Sequence, residues 1–156
     1  MRRLVLAGLS LAFLAACQPA TMELTDAKKA EIEEAVLEAS TEYTQVFHAE
    51  DIDGYMSLAS NWAESPWPCC GTLDGLRSFV TDIWNRWEFE EFENGEMKVT
   101  VLGPDAAVVA FTQTGVQVDT AGVRRETAAD IAFLWVREAG QWKLVMGKQY
   151  NHPDGM

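Results

Sequence analysis

Positive charge is scarce in this 156-residue chain: 12 Lys and Arg stand against 24 Asp and Glu, a formal net charge of −12. Phosphate binding needs clustered Lys and Arg, so this balance argues against a nucleic-acid partner. Long apolar runs are missing too. None reaches the roughly 18 residues of a membrane-spanning helix. Metal-ligating types are few, with two His and three Cys, and Cys69-Cys70 with His48 and His152 fits no standard zinc spacing. No metal and no cofactor is expected, and no internal repeat or low-complexity tract occurs. What is present is 48% hydrophobic and 23% charged, a globular composition sized for one small acidic domain.

The first residues read as an address. Met1-Arg2-Arg3 is basic, Leu4 to Ala16 is apolar, and small residues lead into Cys17. That is the pattern of a signal peptide. Leu14-Ala15-Ala16-Cys17 resembles the lipobox of bacterial lipoproteins. The resemblance implies cleavage before Cys17, a diacylglyceryl thioether on its sulfur and an amide-linked acyl chain. Several chains anchor stably where one does not. The expected organisation is a signal peptide over 1–16, lipidated Cys17 and tether over 17–25, one domain over 26–152 and a tail over 153–156. Arg2 and Arg3 leave with the signal and no acid does, so ten bases face 24 acids and the charge becomes −14. Anionic lipid surfaces repel such a body. Its expected place is the bacterial cell envelope, facing the periplasm or exterior, held by its lipid.

Cys69 and Cys70 leave several readings open. Adjacent Cα atoms sit about 3.8 Å apart, below the roughly 4.4–6.8 Å of ordinary disulfides. Thiols without a function are the first reading. A strained vicinal bridge, an intermolecular bridge and a redox or metal site are the others.

Along the mature chain, Ile32, Val36, Ala39, Tyr43, Val46 and Phe47 recur at steps of three and four. This predicts an amphipathic helix over 26–48, with Thr25 as its cap and the glutamates on the solvated face. A short helix over 52–59 follows. Asn61 to Gly71 reads as a short irregular strand and loop. Leu76, Phe79, Val80, Ile83, Trp84 and Trp87 mark a third helix. Strand periodicity then predicts four strands, over 89–102, 106–119, 123–137 and 141–151, separated by turns at Gly103-Pro104-Asp105, Asp119 to Gly122 and Glu138-Ala139-Gly140. The third strand is apolar on both faces, with Ala129, Ile131, Phe133 and Trp135 on one and Ala132, Leu134 and Val136 beside Asp130 on the other. Such strands are covered on both sides. Three helices cover one side, so a second copy of the chain is expected on the other, through Leu134 or Trp135.

This order of elements resembles the nuclear transport factor 2-like superfamily. His48-Ala49-Glu50-Asp51-Ile52-Asp53-Gly54-Tyr55 looks like its junction between the first two helices. Gly71-Thr72-Leu73-Asp74-Gly75-Leu76 looks like the lead into its third. Glu138-Ala139-Gly140-Gln141-Trp142-Lys143-Leu144-Val145 looks like its last hairpin. The resemblance implies an α+β cone, a curved antiparallel sheet wrapped round three N-terminal helices, with a pocket open at one end. Such domains include isomerases, dehydratases, polyketide cyclases of the SnoaL type and non-catalytic binding or assembly modules. Fold alone does not choose among them.

Catalytic relatives pair an Asp or His base with a Tyr or protonated Asp that stabilises an enolate. The candidates for such roles here are Asp130, Tyr43 and His48. Asp130, on a strand apolar on both faces, is expected to be buried and paired with Lys148 or an arginine, so that Asp130→Asn costs about 3–5 kcal/mol. Candidate ligand contacts are Trp62, Trp67, Trp84, Trp87, Gln113, Lys148 and Tyr150, since aromatic walls suit an apolar or ring-bearing molecule. Where related chains often carry a His and a Ser on the last strand, this one has Met146, Lys148 and Tyr150. The expected function is therefore a lipid-anchored domain that binds a small apolar molecule or a partner without catalysis. The alternative is an isomerase, dehydratase or cyclase that uses a pocket carboxylate.

If Cys17 carries the anchor, Cys17→Ser moves the protein from the membrane fraction to the soluble one, or leaves an uncleaved precursor. Fractionation with immunodetection reads the outcome; an unchanged membrane fraction refutes the anchor.

Overall fold

Thr25 starts the first helix by accepting a hydrogen bond from the Lys28 backbone N–H at 3.2 Å, which satisfies one of the free donors every helix start exposes. The computed structural model describes residues 24–61 and 70–151, without the side chains of Tyr150 and Asn151. The readings at 1–23, Trp62, Trp67, Cys69 and His152 lie outside the described residues, as does the side chain of Tyr150.

Helix α1 runs Asp26–His48 and buries Ile32, Val36, Ala39 and Ser40. Its glutamates at 31, 33, 34, 38 and 42 are exposed, as the stripe predicts. The chain reverses through Glu50 at φ 53°. Asp51 then caps α2, Ile52–Leu58, by accepting from the Gly54 N–H at 2.9 Å. A Cβ at residue 54 would run into the Asp51 carboxylate and Val46, so a larger residue there displaces the capping side chain. Thr72 caps α3, Leu73–Arg86, in the same way. The irregular strand expected before α3 falls largely outside the described residues. At its start Ala59 makes an isolated parallel bridge to Leu144, and the Ser60 N–H donates to the Leu144 carbonyl at 2.9 Å. Cys70 is disulfide-bonded, which corrects the first reading of free thiols; its partner cysteine lies outside the described residues.

Among the described residues the sheet has five strands rather than four. Strands β1 (Trp87–Asn94) and β2 (Lys98–Gly103) replace the single strand expected over 89–102. Both pair antiparallel with β3 (Ala106–Asp119), β1 with its second half and β2 with its first. The break sits at Gly95, whose N–H donates to the Thr112 carbonyl at 2.8 Å. β3 then pairs with β4 (Arg124–Glu138), and β4 with β5 (Gln141–Asn151).

Two bulges reset which residues face the helices. In β1 the register shifts between Glu90 and Glu93, with Glu91 at φ 54°. The extra residue moves the inward face from Trp87 and Phe89 to Phe92 and Asn94. In β5 the shift opposite Leu134 and Trp135 moves it from Trp142 and Leu144 to Gly147 and Gln149.

The main core lies between α1 and the sheet. Ile32 and Val36 meet Val109, Phe111, Phe133 and Trp135 there. Trp135 is fully buried on the inward face, so of the two residues expected at a second subunit only Leu134 points outward. A smaller cluster of Tyr55, Leu76 and Val80 joins α2 and α3.

Asp130 is not buried. It stands exposed on the outer face of β4, where the Thr112 hydroxyl opposite donates to its Oδ1 at 2.9 Å. The outer face of β4 is half-buried at Ala132, Leu134 and Val136, but it opens to water toward the Asp130 end. The expected interior salt bridge is thus corrected to a surface hydrogen bond, and Asp130 is no pocket acid. Two substitutions separate the sheet's faces. Asp130→Asn changes stability by no more than about 0.5 kcal/mol, whereas Trp135→Ala costs about 3–5 kcal/mol. Urea unfolding of both variants checks this, and a large loss for Asp130→Asn contradicts the surface assignment.

Candidate functional site: a cavity between helices and sheet

A cavity of about 390 Å³ opens between the three helices and the inner face of the sheet. From α1 it takes Tyr43, Thr44, Phe47 and His48, and from α2 Tyr55. Phe79, Val80 and Ile83 of α3 form a second wall. Phe111, Gln113, Ile131, Phe133 and Gln149 form its floor, with Lys148 at the border. A second hollow of about 230 Å³ lies beside it under Trp87, Phe89 and Phe92. The two share Phe47, Ile83, Gln113 and Gln149. Near the second hollow, Gly115 lets Phe92 lie flat on the sheet, since a Cβ there would approach the ring to 2.6 Å.

Polar groups are few and they converge. The Tyr43 and Tyr55 hydroxyls lie 3.1 Å apart, and the rings are tilted at 5.1 Å between centroids. Tyr43 meets Phe133 edge-on at 4.8 Å. Burial raises the Tyr43 pKa well above the usual tyrosine range, and the neighbouring Tyr55 phenol adds to the shift. Burial raises Tyr55 as well. Both phenols therefore keep their protons through the neutral range. One of the two O–H groups is spent in the mutual bond, and the other is available to an acceptor in the cavity.

His48 ends α1. A helix C-terminus favours the imidazolium, yet the ring packs against Phe47 and Phe92 at 5.9 and 5.4 Å. His48 is exposed at the border of the cavity, yet its partial burial against these rings outweighs the helix end and lowers its pKa. At neutral pH the imidazole is uncharged and able to accept a proton.

A third group sits on the floor. Gln113 and Asn94 are partners across β1 and β3. The Gln113 amide donates to Asn94 Oδ1 at 2.8 Å, and Asn94 Nδ2 donates to Thr44 Oγ1 at 3.3 Å.

The cavity brings together Tyr43, His48, Gln113 and Lys148 among the expected residues. Trp87 lines the second hollow. Trp84 does not line either one; it packs behind the cavity against Phe47 and Tyr55, its buried Nε1 without a hydrogen-bond partner among the described residues. Tyr55, Thr44 and Asn94 belong to the site although nothing in the sequence singled them out. Among the described residues no carboxylate lines the cavity, and no three His, Cys, Asp or Glu side chains gather as a metal site.

Residues 73–152 match the family described as calcium/calmodulin dependent protein kinase II association domain, and the chain belongs to that family. Solved structures agree on its fold. A ketosteroid isomerase-like protein from Erwinia carotovora atroseptica superposes with a TM-score of 0.67 at 20% identity, over 78% of this chain and 96% of that one. A dehydratase candidate of the NTF2-like family from Streptomyces avermitilis gives 0.63 at 18%, over 80% and 98%. A hexachlorocyclohexane dehydrochlorinase from Novosphingobium barchaimii gives 0.70 at 13%, over 82% and 91%. The fold is thus the NTF2-like cone. No curated protein sequence matches.

Proposed function

We propose that the chain takes a small, uncharged, ring-bearing carbonyl compound into the cone and moves a proton on it, chemistry of the isomerase or dehydratase class. The observation that carries this is one apolar cavity holding both a protonated Tyr43–Tyr55 pair and an uncharged His48. The free tyrosine O–H hydrogen-bonds the carbonyl oxygen. His48 removes a proton from the carbon beside it, and the C–H electron pair moves into the enolate. The enolate oxygen draws more strongly on the tyrosine hydrogen than the ketone did, so the transition state gains most. The proton then returns to another carbon, or a leaving group departs from the β-carbon. Structural neighbours of isomerase-like, dehydratase-candidate and dehydrochlorinase kind support this class.

A second reading, binding or assembly without turnover, is favoured by the association-domain family itself and by the lining of the cavity, which holds no carboxylate among the described residues. Assembly fits both readings. The outer face carries an apolar row, Val108, Leu134 and Met146, paired across β3, β4 and β5, with Met146 39% exposed. We infer a homodimer through this face, with the domain held in the cell envelope by lipid on Cys17. Leu134→Lys then yields monomers in sedimentation velocity at micromolar concentration. A wild-type chain that is already monomeric there refutes the dimer.

Deuterium uptake beside the carbonyl of 1-tetralone in D2O, followed by proton NMR, tests the chemistry. His48→Gln slows uptake by about 10²–10⁴-fold, and Tyr43→Phe by about 10²–10³-fold. The base works only when neutral, and its pKa lies below the ordinary value of about 6.5. The rate is therefore full at neutral pH and falls only as the solution is made more acid than that. Tetralone that binds without exchange above buffer leaves the binding reading in place of the catalytic one.

A further inference from the structure

We propose that Gln113 makes the cavity select ligands with an O–H or N–H donor partway along the molecule, in addition to an oxygen at the tyrosine end. This rests on the reading of the cone as a small-molecule site and holds whether or not turnover follows.

The polarity of the Gln113 amide is not free to choose. The Ser40 backbone carbonyl can only accept, and the Thr44 hydroxyl donates its one proton to it at 3.1 Å. Thr44 Oγ1 must then accept from Asn94, which turns the Asn94 amide so that Nδ2 faces Thr44. Asn94 Oδ1 is left facing Gln113, and Gln113 must present Nε2 to it. Each bond fixes the next, and aligned bonds of this kind polarise one another. The chain ends at Gln113 Oε1, on the side of the amide away from Asn94. No described residue donates to that oxygen. Gln113 lines both hollows, so a ligand in either one can reach its amide.

The complementary ligand follows. Its oxygen accepts from the Tyr43–Tyr55 pair, and a hydroxyl or N–H further along donates to Gln113 Oε1. A cation is unwelcome at either place, because the surroundings are apolar and no described carboxylate lines the cavity to pair with it.

Calorimetric titration of the full chain with three compounds tests this. The first is 6-hydroxy-1-tetralone, with both groups. The second is 6-methoxy-1-tetralone, whose donor is blocked. The third is 5,6,7,8-tetrahydro-2-naphthol, which lacks the ketone. Wild-type chain binds the hydroxy ketone about tenfold more tightly than the methoxy ketone, the worth of one good hydrogen bond. In Gln113→Leu the two ketones bind equally, whatever their common affinity. In Asn94→Ala the amide of Gln113 is free to turn and the preference shrinks. Binding of both ketones with no preference, or a preference that survives Gln113→Leu, overturns the inference and leaves the cavity reading standing. No binding of any of the three overturns both.

Discussion

Tyr43 belongs to both halves of the interior. It packs on the main core between α1 and the sheet and also on the smaller cluster between α2 and α3. Its ring meets Phe133 and Trp135 of β4 on one side and Tyr55 of α2 on the other. A buried hydroxyl without a partner is costly, and Tyr55 supplies the partner. Each phenol thus depends on the other, and α2 is held against α1 by a polar bond inside an apolar shell. A phenylalanine at 43 keeps the ring contacts yet leaves the Tyr55 hydroxyl alone. The same pair forms the polar end of the cavity, so the group that joins the two clusters also gives the cavity its donor.

The three helices were legible because their signal is local. Caps at Thr25 and Thr72 and apolar residues at steps of three and four lie within a few turns of each other. The strands were legible in number only up to Gly95. Whether 89–102 is one strand or two depends on how β3 pairs with it, a contact between residues far apart in sequence. The bulges at Glu91 and opposite Leu134 were invisible for the same reason, and they decide that Asn94 and Gln149 face inward. Two apolar faces on β4 do not mean cover along the whole strand, which is why the expectation of a buried Asp130 fails. The cover thins toward the Asp130 end, where a charge is tolerated. Tyr43 stood on a readable stripe. Tyr55 sits in a seven-residue helix too short to show a period, and Asn94 lies on a strand whose inward face changes partway along it.

The acids are kept outside. The glutamates of α1 are exposed, Asp130 is on the outer face, and the arginines of β4 pair at the surface, Arg124 with Glu90 and Arg125 with Asp119. An acidic body whose cavity carries a cation only at its border, Lys148, disfavours anionic ligands by the field of the whole chain. This also changes what a base must be. A carboxylate in such a cavity needs its pKa raised several units to work near neutrality. A histidine needs only to remain uncharged, and burial pushes it that way. His48, exposed at the end of α1 beside the cavity, is therefore a cheaper base for this site than a buried aspartate.

Tyr43 and Thr44 are adjacent, and on a helix adjacent residues point about 100° apart. One reaches α2 and β4, where the donor is made. The other reaches β1, where the hydrogen bonds that orient Gln113 begin. Both ends of the cavity's polarity are thus set by one turn of α1, and the turn is placed by Ile32, Val36 and Ala39 packing below it on the sheet. A shift of α1 along the sheet moves donor and acceptor together rather than apart. The spacing between the two polar points is for that reason a property of a rigid element and not of a loop, which is the condition for a site to discriminate by where a ligand carries its hydrogen-bonding groups.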